Sequence, residues 1–252
     1  MSNTILIIGE SGTGKSTSIR TLDPKETFII NVIDKDLPFR GSRKKYVHKE
    51  GGNYFVSDNP RQIMNLISKI SSQRSDIKNI VIDDLQFVMT NEFMRRVKEG
   101  GFQKFNDIAS DVFFIINHSV GIQKDINIFM LAHSELKKDN ISKMKTVGEL
   151  TDKNVSVEAR VTVVLHTFVD SSSQNQNGKY KFITNHTGVC MAKSPMGMFD
   201  DLYIDNDLNY VLKKIDEYRN YDEGDGSIKL EEISSNPNSY HNDDNNWKDE
   251  AA

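Results

Sequence analysis

The sequence predicts an α/β fold with a mostly parallel sheet flanked by helices, and three observations carry that reading. An apolar run rich in branched side chains, residues 5–8, leads directly into a glycine-rich turn. Further apolar runs follow at 28–33, 78–84 and 126–132, and stretches with helical spacing lie between them. Strands buried on both faces read as continuous apolar runs, and parallel neighbours need crossovers to join them. In such folds ligands bind at the carboxyl ends of the strands. The region after Ala159 reads as a hairpin and predicts added antiparallel strands at one edge.

The first turn carries the sharpest pattern. Residues 4–17 read TILIIGESGTGKST, in which Gly9, four residues and then Gly14-Lys15-Ser16 have the spacing of a phosphate-binding P-loop. Glycines let several backbone N–H groups point into one concavity that suits an anion. A helix starting near Gly14 would add the positive end of its dipole. Lys15 can reach the β- and γ-phosphates, and the Ser16 hydroxyl can ligate Mg²⁺. The candidate nucleotide-binding segment is therefore Gly9, Glu10, Ser11, Gly12, Thr13, Gly14, Lys15, Ser16 and Thr17. A dinucleotide fingerprint fits less well, because Thr17 stands where its third glycine would be.

The P-loop helix is expected to end near Leu22, before Asp23-Pro24. The strand at 28–33 ends at Asp34, and Arg40, Arg43, Lys44 and Lys45 make a basic loop that contacts phosphates or is simply solvated. Asn59-Pro60 reads as a cap and first-turn proline; Ile63, Met64, Leu66, Ile67 and Ile70 then recur at helical spacing. The run at 78–84 ends in Asp83 and Asp84, as in a Walker B strand whose aspartate holds Mg²⁺; the bland alternative is a pair of turn formers.

From residue 90 to about 123 the pattern is helical, with Asn91 as a cap, Arg95 and Arg96 beyond it, and Gly100-Gly101 as a break. Phe102, Phe105, Ile108, Val112, Ile115 and Ile116 trace an apolar stripe. The strand at 126–132 is followed by His133, which would sit beside a γ-phosphate if this strand neighbours the P-loop strand; a capping or turn role is the alternative. Residues 136–160 form a polar, lysine-bearing connection, 160–169 an alternating strand, 171–178 a hairpin tip, 179–183 its returning strand and 209–219 a last helix.

Composition sets the outer bounds. The chain reads as one domain over 1–220 and an acidic, Asn- and Ser-rich tail over 221–252 expected to be disordered. The tail has nine acidic residues against Lys229 and Lys248, a charge of −7, so a whole-chain charge of −4 leaves the body at +3. A mildly basic body is compatible with a polyanionic partner. The single cysteine, Cys190, excludes an internal disulfide and a cysteine-rich zinc site, which suits a reducing cytosol. With the P-loop strand so close to Met1 no secretory leader is expected, nor does any run approach bilayer length, so a cytoplasmic, non-membrane protein is expected.

The order of parts resembles a known group. GESGTGKS at 9–16, VIDKDLPFRG at 32–41, IVIDD at 80–84, LAHSE at 131–135 and MAKSPMGMF at 191–199 together are similar to the RecA-like ATPases encoded by bacteriophages. These are filed as AAA-family ATP-binding proteins, and some act in single-strand annealing recombination. The resemblance spans about residues 4 to 218 and implies ATP and Mg²⁺ as ligands, ATP hydrolysis, single-stranded DNA as partner, a homo-oligomer, and the host cytoplasm if phage-encoded. It implies that Asp34 holds the place of a catalytic carboxylate, with Asp84 the competing general base. It also implies that Lys193 reaches a neighbouring subunit's γ-phosphate, and that 136–160 stands where such proteins keep DNA-binding loops. Two other classes remain open: a non-hydrolysing adaptor or loader that recruits a protein through the acidic tail, and a P-loop kinase. The kinase would need an arginine-rich lid, yet no arginine lies between His133 and Arg160.

Overall fold

β1 (Asn3–Gly9) is buried at every position because it has a parallel partner on each side. On one side β5 (Asn127–Leu136) runs in register from Asn3↔Asn127 to Gly9↔His133. On the other side β7 (Val163–Val169) pairs from Ile5↔Val163 to Ile8↔His166. Beyond β5 come β4 (Asn79–Asp83), β2 (Thr27–Asn31) and β3 (Tyr54–Val56), so the parallel strands stand in the order β3-β2-β4-β5-β1-β7. Two antiparallel strands, β8 (Tyr180–Ile183) and β9 (Tyr203–Asp205), extend the sheet past β7. The short β6 (Ser142–Met144) folds back on the end of β5. This is the mixed α/β architecture that the alternation of runs predicts. The computed structural model describes residues 2–147, 156–175 and 178–221, and residues 1–218 make one compact unit.

Alternation along each strand splits the core between the two faces of the sheet. Leu6 and Ile8 of β1, Ile80 and Ile82 of β4, and Ile128 and Met130 of β5 face one layer. That layer is built by α2 (Pro60–Gln73), α3 (Phe87–Arg95) and α4 (Gln103–Val120). Ile5, Ile7, Val81, Phe129 and Leu131 face the other, built by the turn after the P-loop, the 37–46 segment and α5 (Leu208–Arg219). Burying each such side chain contributes about 1.5–3 kcal/mol, so the central strands are held from both faces.

Several local expectations hold and others need correction. Asn59 caps α2, its Oδ1 accepting from Gln62 N at 3.0 Å, and Ile63, Ile67 and Ile70 are buried. The expected P-loop α-helix is instead a six-residue 3₁₀ turn, Ser16–Thr21. The helix expected to start at Asn91 begins at Phe87, and Asn91 Nδ2 instead donates to Asp58 Oδ2 at 2.8 Å. Phe102 lies outside the apolar stripe, 86 % exposed just before α4, while Lys104 is buried over the rings of Phe93 and Phe105. The basic loop contains one helical turn, α1 (Ser42–Lys45). The polar connection opens as the β5–β6 hairpin rather than as structureless chain. Its residues 148–155, positions 176–177 of the hairpin tip, and the tail expected from 221, beyond Tyr221, lie outside the described residues. Among the described residues no helix is long and apolar enough to cross a membrane.

At the amino ends of four strands a polar ladder fixes the register. Asn3 Nδ2 donates to Asn127 Oδ1 at 2.8 Å, and Asn127 Nδ2 donates to Asn79 Oδ1 at 2.9 Å. Asn79 Nδ2 reaches Thr27 Oγ1 at 3.4 Å. A slip of one residue in any of these strands would leave buried amides unpaired, so the ladder sets how far each strand extends at its other end. Asn127→Ala orphans two of its neighbours' groups and should lower unfolding free energy by about 2 kcal/mol or more. Urea unfolding measures this, and a loss under about 0.5 kcal/mol would refute the ladder's role.

Candidate functional site

Gly9 ends β1 where β7 crowds it: a Cβ there would lie 1.7 Å from Thr167 Oγ1. Gly12 and Gly14 hold φ angles of 80° and 101°, in the region glycine alone enters without cost. A Cβ on Gly14 would meet the Tyr180 ring at 2.8 Å. The loop is thus moulded by two side chains from β7 and β8, far along the chain. Thr13 Oγ1 donates to Glu10 O at 2.7 Å and lies 2.5 Å from Thr167 Oγ1, and Asn206 Nδ2 donates to Gly14 O at 3.3 Å. Glu10, Ser11 and Gly12 form the exposed crest. With only a 3₁₀ turn behind it, the loop would have to meet an anion with its own N–H groups and Lys15.

Lys15 is buried, and its Nζ donates to Gly9 O and Glu10 O, each at 2.9 Å. Burial pulls the Lys15 pKa down, against the opposing charges of Asp84 and Asp83. Ser16 Oγ donates to Asp83 Oδ1 at 2.8 Å. Asp83 and Asp84 are both fully buried, joined by a cis peptide. Asp84 Oδ2 meets Lys35 Nζ at 2.5 Å and His133 Nε2 at 3.5 Å. Burial, and then the neighbouring Asp84 charge, push Asp83 up to about 7. Burial would raise Asp84 too, but hydrogen bonds from His133 and Lys35 outweigh it and hold that carboxyl below its usual range.

His133 reaches the carboxylates because β5 runs between the P-loop strand and the aspartate strand. It stands opposite Gly9 on β5. Its N–H donates to Gln86 Oε1 at 2.9 Å, and its ring meets Phe87 edge-on at 5.9 Å. Lys15, Ser16, Asp83, Asp84 and His133, read from separate stretches of sequence, therefore converge at one end of the sheet. Two other candidates stand apart from them within this chain. Asp34, with φ 51°, is exposed and lines a separate cleft of about 220 Å³ with Asp36, Tyr46, His48 and Tyr54. Lys193 exchanges main-chain hydrogen bonds with Val164, on the side of β7 away from β1. Thr17 opens onto another cleft, of about 370 Å³, lined also by Arg20, Phe39, Arg40, Lys45 and Tyr180.

The donor set fits Mg²⁺ shared with a phosphate ligand. Asp83, whose Oδ1 accepts from the Ser16 hydroxyl, keeps its Oδ2 buried without a hydrogen-bond partner. Among the described residues no three His, Cys, Asp or Glu side chains are grouped to hold a metal ion themselves. A cation here would complete its shell from phosphate oxygens and water, as Mg²⁺ does.

Sequence reading missed Lys35, Gln86, Thr167 and Tyr180. Thr167 and Tyr180 carry no motif and meet the loop only through the β1–β7–β8 pairing. No protein-family model and no curated protein matches this sequence. Among solved structures, the chain is similar to the genome packaging NTPase B204 from Sulfolobus turreted icosahedral virus 2 in complex with ATP-gammaS. That similarity has a TM-score of 0.35 and 9 % identity over 70 % of this chain and 77 % of the other.

Gly9→Ala should weaken nucleotide binding at least about tenfold, since overpacking against Thr167 must displace the loop. Adding Thr167→Ala should recover part of it. Titration with a fluorescent nucleotide decides, and parental affinity in Gly9→Ala would refute the close-packed loop.

Proposed function

We propose that the chain is a Mg²⁺-dependent ATP-binding protein that hydrolyses ATP. The convergence of Lys15, Ser16, Asp83, Asp84 and His133 at the carboxyl ends of β1, β4 and β5 carries this reading. The loop from Gly9 to Thr17 cradles the phosphates, and Lys15 exchanges its two carbonyl partners for phosphate oxygens. Ser16 and Asp83 would hold Mg²⁺, which would supply positive charge against the phosphates. Since the carboxylates lie on the β5 side of the loop and Tyr180 on the β8 side, the γ-phosphate faces Asp84 and His133. The nucleoside end leaves through the cleft lined by Thr17, Arg40 and Tyr180.

Asp84 is the general base of this scheme rather than Asp34, which lines a different cleft. Its Oδ1 takes a proton from a water whose oxygen bonds to the γ-phosphorus. The bond from that phosphorus to the β,γ-bridging oxygen breaks, and ADP leaves with the electron pair. His133, between the loop and Asp84, senses the γ-phosphate.

The finer reading is a RecA-like ATPase working on single-stranded DNA in phage-type recombination or replication, assembled as a homo-oligomer. Its support is the run of motifs in the sequence and the +3 charge of the body. Lys193 then acts on a neighbour's γ-phosphate, and the acidic tail recruits a protein partner. The test is ATP turnover at fixed salt with single-stranded DNA, duplex DNA and no DNA. Stimulation by single strands alone is expected, and turnover indifferent to DNA would refute the DNA role. Mixing Lys193→Ala with Lys15→Ala protein should restore activity that each lacks alone; no recovery would refute action between subunits.

A further inference from the structure

Lys35 lies within the VIDKDLPFRG stretch, and its side chain is the cation paired with the buried Asp84. Its delivery is built into the fold in two ways. Asp34 takes a left-handed backbone conformation, φ 51°, which turns the chain immediately before Lys35. The fully buried Asn31 then clasps that turn: its Nδ2 donates to Lys35 O at 2.8 Å, and its Oδ1 accepts from Ile33 N at 3.2 Å. Lys35 Nζ so arrives 2.5 Å from Asp84 Oδ2.

The two oxygens of Asp84 are thereby made unequal. Oδ2 is shared by Lys35 and His133, while Oδ1 is buried with no hydrogen-bond partner. A carboxylate anchored through one oxygen holds the other in a fixed direction, as a general base must be held. Lys35 also differs from Lys15 in access, its side chain being 39 % exposed against a fully buried carboxylate. It meets Asp84 at Oδ2 and leaves Oδ1 without a partner.

We propose that Lys35 is a positioning residue: together with His133 it pins Asp84 by Oδ2 so that Oδ1 faces the attacking water. This rests on the ATPase reading and on Asp84 as its base. Lys35 touches neither nucleotide nor water in this scheme; it acts through Asp84 alone. The bland alternative is an ion pair that only steadies the turn at residues 31–35, and it makes a different prediction for the double variant.

Turnover by the parental protein comes first, since its absence would refute the ATPase reading as a whole. Lys35→Ala should then lower kcat at least about tenfold while ATP affinity changes less than about threefold. Lys35→Arg, which restores a cation, should recover most of the rate. In an Asp84→Asn background, followed by single-turnover hydrolysis, Lys35→Ala should change the residual rate less than about twofold, because no carboxylate remains to be positioned. If Lys35→Ala does not fold, Lys35→Gln takes its place in each comparison. Unchanged kcat in the single variant would overturn the proposal. So would an equal loss of ATP affinity, or a full loss repeated in the Asp84→Asn background.

Discussion

Two adjacent carboxylates, Asp83 and Asp84, are buried side by side at the end of β4, and the rest of the site is arranged to make that possible. Burying one charge without partners costs several kcal/mol, and a second like charge beside it adds to the cost. The sequence meets this demand from four directions. Ser16 donates to Asp83 from the P-loop, Lys35 pairs with Asp84 from the end of β2, His133 faces Asp84 from β5, and Lys15 adds its charge from the loop. The two oxygens left without protein partners fall one on each aspartate. A site that keeps acidic oxygens buried beside a loop of N–H donors suits a ligand bringing both phosphate and a divalent cation.

The architecture that supplies these partners is simple. β5 lies between β1 and β4, so its His133 sits between the phosphate loop and the carboxylates. The asparagine ladder at the opposite end levels the four strands, which sets the height of Gly9, Asp83 and His133 relative to one another. On the outer side, Thr167 and Tyr180 press on Gly9 and Gly14. The 34–48 segment links the two sides: Lys35 pairs with Asp84, while Phe39, Arg40 and Lys45 line the cleft at Thr17. Movement of that segment would be felt both at the aspartates and at that cleft.

What the sequence made legible was local. The apolar runs of β1, β4 and β5 announce doubly buried strands, the glycine spacing announces the loop, and Asn59-Pro60 announces α2. Misreadings arose where tertiary contacts override local preference. Asn91 looks like a cap but bonds to Asp58, so α3 starts at Phe87. Phe102 fits the helical stripe but precedes the helix, and Lys104 is buried instead by stacking over two aromatic rings. β3 and β9 are three residues each, too short for a period to register. Lys35 was hidden because its direction depends on the unusual φ of Asp34, the very residue that drew attention as a candidate carboxylate.

Binding of ATP together with Mg²⁺ by the Lys15–Ser16–Asp83 cluster is open to titration calorimetry of ATP into the full chain, with Mg²⁺ and with excess chelator. Saturable one-site binding is expected with Mg²⁺, weakened at least about tenfold by chelation, by Asp83→Asn and by Lys15→Ala. Equal ATP affinity in all four conditions, or no binding by the parental chain, would contradict binding by that cluster.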